Sequence, residues 1–186
     1  MPSSLAPAGE HVTTRGVIAY AAFLRAVNVG GTGKLAMSDL RSLCEACGFE
    51  AVGTYIQSGN VVFRSRRAEA GVKKLLEQAL EQRMGKPASA LIRSAAELHT
   101  VLKSNPFPAA APNRLLVLFL DAAPPASRLA GVVSPGGEEL ALVGRELFIH
   151  FPKGMGQSKL KLPFRDIGTG RNLNTVRKVS ALLDAL

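Results

Sequence analysis

The spacing of apolar residues changes along the chain, and these changes predict which segments are strands and which are helices. Short apolar or alternating runs indicate strands, whereas apolar residues three and four positions apart indicate helices. In the first half, strand-like runs lie at residues 17–24, 52–56, 61–63 and 87–93, and helical spacing occurs at residues 39–47 and from 72 to a stop at 85. Gln57-Ser58-Gly59-Asn60 predicts a hairpin, because Gly59 tolerates the positive φ of a tight turn. The βαββαβ order predicts a ferredoxin-like unit with sheet order 4-1-3-2.

The second half partly repeats this order. Ser94 and Glu97 have capping-box spacing and open a predicted helix, and Asn172 lies near the start of the last one. The pattern predicts a buried strand at 114–120, a short helix after 125, a hairpin at 138–151, a Gly-rich loop at 152–157 and a basic helical stretch after it. We therefore predict an α+β protein of two ferredoxin-like halves with antiparallel sheets, plus extra C-terminal helices. The predicted divisions are a disordered tail at 1–15, a first half at 16–93 and a second at 94–186.

Composition supports a globular protein and argues against other classes. The 186 residues are 47% hydrophobic and 20% charged, which is ordinary for a folded domain. The apolar run at residues 115–120 is far shorter than a membrane helix, and residues 1–15 contain no signal-peptide core. We expect a cytoplasmic protein. Cys44 and Cys47 fall in the last turns of a helix, where the dipole disfavours a thiolate, so we expect them to pack in the core.

Positive charge is concentrated near the end of the chain. The net charge is +9, and residues 153–178 carry +6 of it, since they hold seven Lys and Arg against one Asp. Such an excess favours anionic partners. Three Gly-rich segments accompany it, starting at Gly30, Gly154 and Gly168, and each precedes a predicted helix. The first of them departs from a P-loop, because Asn28 and Leu35 stand where that motif needs Gly and Ser or Thr.

The predicted topology brings three loops of the first half to one edge, where Arg and amide side chains could hold a phosphate or carboxylate. Capping of turns by the Asn and Gln side chains is the alternative. We expect the first and last motifs to share one site, with Arg25 and Arg171 at the surface and of little consequence for stability. The candidate ligand-binding residues are Arg25, Asn28, Gly30, Gly31, Lys34, Gln57, Ser58, Asn60, Lys159, Arg171, Asn172 and Asn174.

Several motifs together resemble a known family. They are Phe23-Leu24-Arg25-Ala26-Val27-Asn28-Val29-Gly30-Gly31, Tyr55-Ile56-Gln57-Ser58-Gly59-Asn60-Val61-Val62-Phe63, Asn105-Pro106-Phe107, Gly156-Gln157-Ser158-Lys159-Leu160 and Arg171-Asn172-Leu173-Asn174-Thr175-Val176. In this order they resemble the bacterial domain of unknown function 1697 family. The resemblance implies two ferredoxin-like halves and no established activity, cofactor or catalytic residue. Members usually have Trp where this chain has Leu173, so a ligand that stacks on that Trp would be bound differently here.

Three functions remain open. The first is binding of phosphate-bearing or other anionic ligands, including a nucleic-acid backbone, through the basic Gly-rich loops. The second is an enzyme acting on a small anionic metabolite, with the Asn and Gln side chains orienting it. The third is an oligomeric adaptor without a ligand. The sequence contains no complete catalytic motif and no metal-ligand spacing, so it predicts no cofactor and no metal.

Overall fold

The computed structural model describes residues 16–25, 27, 35–56, 59–163 and 168–186. The eight strands of this part are β1 (Ile18–Arg25), β2 (Glu50–Tyr55), β3 (Asn60–Ser65), β4 (Ser89–Ser94), β5 (Leu115–Leu120), β6 (Glu139–Val143), β7 (Glu146–His150) and β8 (Gly168–Asn172). Its four α-helices are α1 (Met37–Ala46), α2 (Glu69–Met84), α3 (Ala95–Lys103) and α4 (Leu173–Asp184). None of the helices described there is long and apolar enough to cross a bilayer.

The strands form two antiparallel sheets with the same internal order. The first sheet has the order β2-β3-β1-β4 and the second has β6-β7-β5-β8. The predicted order 4-1-3-2 is therefore confirmed for the first half, and the α+β class with two ferredoxin-like halves is confirmed for the chain.

Local signals fix most of the helix ends. Gly85 takes a φ of 67° and ends α2 with a hydrogen bond from its N–H to the carbonyl oxygen of Glu81. Ser94 and Glu97 form the predicted capping box at the start of α3. Ser38 directly precedes the helical spacing at residues 39–47, and its side chain would suit a cap there. The structure contradicts that prediction, because Ser38 lies inside α1 and Ala36 occupies the N-cap without a side-chain bond.

The second half departs from its prediction in three places. Only a single 3-10 turn, Ala126–Arg128, follows Pro125, and residues 158–163 contain no helix. The third Gly-rich segment is strand β8 and not a turn before a helix. Added Cβ atoms would lie 2.7 Å from the Phe119 carbonyl oxygen at Gly168 and 3.0 Å from the Leu116 side chain at Gly170. These glycines let β8 approach β5 closely, which is a reason for glycine in a strand.

Apolar side chains pack in three layers. Outer-face residues of the first sheet, such as Phe63 and Ile92, pack under α1 and α2. The inner face contributes Ala21, Phe23 and Leu91 to a central cluster. The other members of this cluster come from β5, β7, α3 and α4 and include Val117, Phe119, Phe148, Leu98, Val101, Leu173, Val176 and Val179. The outer face of the second sheet packs under loop residues, including Met155, Leu160 and Leu162.

Leu173 opens α4 and is 1% exposed in the central cluster. Replacing Leu173 with Ala should lower the free energy of unfolding by about 2–5 kcal/mol, because the lost methyl groups leave a cavity. Urea unfolding followed by circular dichroism measures this loss. Asn174→Ala, at the next and exposed position, is the control and should stay within about 0.5 kcal/mol. Equal losses in the two variants would contradict the burial of Leu173.

Candidate functional site

Arg171 connects the two halves. It lies on β8, is 8% exposed, and points into the space between the sheets. Its Nε donates to Asn60 Oδ1 at 2.6 Å, and its Nη2 donates to the carbonyl oxygen of Leu24 at 2.9 Å. Both acceptors belong to the first sheet, so one guanidinium joins a strand of the second half to two strands of the first.

The remaining donors of Arg171 are also engaged within the protein. Nη1 donates to Thr169 Oγ1 at 2.8 Å and to the Gly170 carbonyl oxygen at 2.9 Å. Burial lowers the pKa of Arg171 to about 10, which still leaves the group charged at neutral pH. Nη2 also donates to the Gly59 carbonyl oxygen at 3.4 Å. A guanidinium whose five N–H groups point at protein acceptors is suited to holding structure together.

Arg93 makes the reciprocal connection from the first half to the second. It lies on β4 and is 1% exposed. Its Nε donates to Glu146 Oε1 at 2.6 Å, and its Nη2 donates to the carbonyl oxygen of Leu120 at 2.7 Å. Arg93 and Arg171 therefore reach across the junction in opposite directions.

The strand register shows that these two contacts are equivalent. Phe23 of β1 pairs with Asn60, just as Phe119 of β5 pairs with Glu146. The two phenylalanine rings stack with centroids 4.1 Å apart and planes 10° apart. The arginine of each half lies over the phenylalanine of the other, at 5.5 Å for Arg93 and 5.8 Å for Arg171. The halves thus meet around a pseudo-twofold axis, and they differ in that one arginine is held by a carboxylate and the other by an amide.

The structure brings two of the candidate residues, Asn60 and Arg171, into contact and places a third beside them in the chain. Asn60 accepts from Arg171, and the half-buried Arg25 directly follows the Leu24 carbonyl that Arg171 also binds. Asn172 is next to Arg171 in the chain but caps α4, since its Oδ1 accepts from the Thr175 N–H at 2.9 Å. The candidates Asn28, Gly30, Gly31, Lys34, Gln57 and Ser58 lie outside the described residues.

One expectation about this cluster is wrong. Arg171 is buried and bridges the halves, so it is not a surface residue whose loss would be nearly neutral. Asn174 is exposed in the first turn of α4. Lys159 belongs to a different region, because its segment packs on the outer face of the second sheet while Arg171 lies on the inner face.

Lys159 lines a pocket at the end of β7, which we call the lysine pocket. Its volume is about 320 Å³. It is lined by Pro135, Gly136, Glu138, Phe151, Pro152, Lys153, Gly154, Gln157, Ser158 and Lys159. Lys153 and Lys159 are exposed, and neither makes a hydrogen bond or salt bridge with another residue in the described ranges. Their ammonium groups are therefore available to a ligand.

Glu138 holds the two walls of the lysine pocket together. Its Oε1 accepts from Ser158 Oγ at 2.5 Å, and its Oε2 accepts from the Gly136 N–H at 2.8 Å. The hydrogen bond from Ser158 is the main reason that the pKa of Glu138 is lowered, and the positive charge of Lys153 adds to it. Charge counting along the sequence pointed to residues 153–178 but missed this wall, because Glu138 lies 15 residues earlier than Lys153.

Other reactive side chains suit packing or surface pairing. Burial raises the pKa of Cys44 to about 12 and also raises that of Cys47, so neither thiol is activated. His99 pairs with Asp184 at 2.8 Å and His150 with Glu139 at 3.1 Å, both at exposed positions. Within the part of the chain that the structure describes, no group of three or more His, Cys, Asp or Glu could hold a metal ion.

Comparisons with known proteins agree with this fold. The family model described as protein of unknown function (DUF1697) matches residues 17–148. The chain belongs to the DUF1697 family. The solved structure of a conserved bacterial protein from Streptococcus pneumoniae is similar to it, with a TM-score of 0.75 and 25% identity over 90% of this chain and 99% of that one. The comparison with curated proteins gave no match.

The DUF1697 match covers one wall of the lysine pocket and ends before the other. Glu138 lies inside the matched residues, whereas Lys153 and Lys159 follow them. Leu173, which also follows the match, is buried between the sheets. In this DUF1697 protein that position therefore contributes to the core.

The bridging role of Arg171 predicts a stability loss. Arg171→Met should lower the free energy of unfolding by about 1–3 kcal/mol, because the Leu24 carbonyl and the Asn60 amide lose a donor. The control is Arg177→Met, which removes the same charge from an exposed position on α4 and should change stability by about 0.5 kcal/mol or less. Urea unfolding of both variants measures the difference. Similar stabilities in the two would show that Arg171 does not hold the halves together.

The lowered pKa of Glu138 predicts a pH dependence. A carboxylate whose folded pKa lies below its ordinary value of 4.5 stabilises the fold above that pH and loses this effect as pH falls through the folded pKa. The wild type should therefore exceed Glu138→Gln in stability above about pH 5, and the difference should shrink as pH falls below 4.5 and through the lowered pKa of Glu138. Thermal unfolding of both proteins, measured at pH values above and below 4.5, tests this prediction. Glu81→Gln, at an exposed position, is the control. A constant difference at every pH would contradict the prediction.

Proposed function

We propose that this protein binds a small ligand carrying a phosphate or carboxylate group in the lysine pocket. The observation that carries the proposal is the position of Lys153 and Lys159 on one pocket of about 320 Å³. Hydrogen bonds from ammonium groups to anionic oxygens are about twice as strong as neutral ones. Gln157 adds an amide group beside them.

The pocket is a better candidate than the junction between the halves. The N–H groups of Arg171 donate to acceptors of the protein, so Arg171 stabilises the junction between the halves and is not available to a ligand. Among the described residues that line the lysine pocket, Glu138 alone carries a carboxylate. Each of its oxygens accepts a hydrogen bond from a neutral donor, so Glu138 shapes the pocket, and its negative charge offsets part of the positive charge of Lys153.

A concave site with two lysines suits one anionic group better than a polymer. Binding along a nucleic-acid backbone gains from many cations that neutralise successive phosphates, and it weakens steeply with salt. Lys161, Arg177 and Lys178 are exposed, but none of them lines the pocket.

We further propose that the protein acts in the cytoplasm, because its two free cysteines suit a reducing compartment.

Titration with inorganic phosphate, followed by ³¹P NMR at constant ionic strength, tests the proposal. Lys153→Gln and Lys159→Gln should each weaken binding by about five- to tenfold, or roughly 1 kcal/mol, because each removes one ammonium group from the pocket. Lys178→Gln is the matched control, since it removes the same charge from an exposed position on α4. It should leave the affinity unchanged.

Two outcomes would contradict this function. Equal weakening by all three variants would mean that phosphate responds to net charge and not to the pocket. Failure of phosphate to bind, together with salt-sensitive binding of a 12-nucleotide single strand, would favour the nucleic-acid backbone instead.

A further inference from the structure

An apolar cavity adjoins the lysine pocket. Its volume is about 230 Å³, and the apolar side chains around it are Leu116, Ile149, Phe151, Met155, Leu160 and Leu162. Phe151 and Ser158 line both this cavity and the lysine pocket. The two spaces therefore share a wall, with lysines on one side and hydrocarbon on the other.

The cavity exists because the two halves cover their outer faces differently. Two helices pack over the outer face of the first sheet. The outer face of the second sheet is covered by residues 155–163, which we call the covering segment. A single 3-10 turn is the only regular secondary structure in this segment. One irregular segment presents fewer side chains than two helices, and Leu160 and Leu162 leave space above Leu116 and Ile149.

We propose that the ligand is amphipathic, with its anionic group between Lys153 and Lys159 and a short apolar chain or ring under the covering segment. This inference rests on the proposed function of the lysine pocket and extends it. The cavity is smaller than the ~300–1,000 Å³ of typical small-molecule sites. At roughly 30 Å³ for each small group, the volume of one water in the liquid, 230 Å³ holds about seven such groups. The apolar part therefore has the size of a six-carbon chain or one aromatic ring.

A series of alkyl phosphates tests this size and polarity directly. Methyl, butyl, hexyl and dodecyl phosphate are titrated into the full chain by calorimetry at constant ionic strength, and hexanol serves as the uncharged probe. Affinity should rise about three- to fourfold for each added methylene up to hexyl, because each leaves water for the cavity. Dodecyl phosphate should gain nothing over hexyl phosphate, and hexanol should bind at least tenfold more weakly than hexyl phosphate.

Filling the cavity should remove the effect of chain length. Leu162→Phe adds volume to the lining, and Met155→Phe is a second filling variant in case the first is unstable. In either, hexyl phosphate should bind no more tightly than methyl phosphate, while methyl phosphate keeps its wild-type affinity. Leu142→Phe is the matched control: Leu142 packs in the same apolar layer but does not line the cavity, so the gain with chain length should persist.

The results separate this inference from the function on which it rests. Equal affinity for methyl and hexyl phosphate in the wild type would overturn the amphipathic ligand and leave anion binding intact. Binding of hexanol as tight as that of hexyl phosphate would show an apolar site that needs no anion, and would also overturn it. If no alkyl phosphate binds, both proposals fail.

Discussion

The burial of two guanidinium groups at the junction is the constraint on which the arrangement of the halves depends. A buried charge is costly unless hydrogen bonds replace its water, and each arginine takes part of its acceptors from its own strand and the rest from the opposite half. Neither Arg93 nor Arg171 is satisfied by its own sheet alone. The stacked Phe23 and Phe119 lie between them and exclude water from the same region. Orientation is therefore set by directional bonds, whereas the apolar cluster around them supplies the non-directional attraction.

The pseudo-twofold axis also makes the differences between the halves informative. Both have the same sheet order and an arginine before the cap of a helix, Ser94 for α3 and Asn172 for α4. The first half keeps two helices on its outer face, while the second has a covering segment there. The lysine pocket and the apolar cavity both lie in the half without outer helices. Irregular backbone at that face lines both the lysine pocket and the apolar cavity.

Much of the fold was predictable because it depends on local patterns. Gly59 and Gly85 take the positive φ that their positions suggested, and Ser94 with Glu97 forms the capping box. Strand β8 was missed because Gly168 and Gly170 have low strand propensity, and only close contact with β5 explains them. The position of Arg171 could not be read from the sequence either. A lone arginine after glycines resembles a solvated loop residue until pairing with β5 turns it inward. The lysine pocket could not be predicted, because it forms where Glu138 contacts Ser158, 20 residues later in the chain. Hydrophobic periodicity does not predict a contact of that kind.

The reciprocal junction has a consequence for the order of events during synthesis. All four strands of the first sheet leave the ribosome before the second sheet exists. Until Leu120 and Glu146 are made, Arg93 lacks its cross-junction acceptors, and Ala21, Phe23 and Leu91 lack the part of the central cluster that β5, β7 and α4 supply. At about 5–20 residues per second, the nascent chain exposes this face for several seconds. Arg93, charged and on the edge strand β4, favours hydration of this face and opposes pairing with another apolar face during that interval. Arg93 thus orients the two halves in the folded protein and opposes aggregation of the nascent chain before the second half is made.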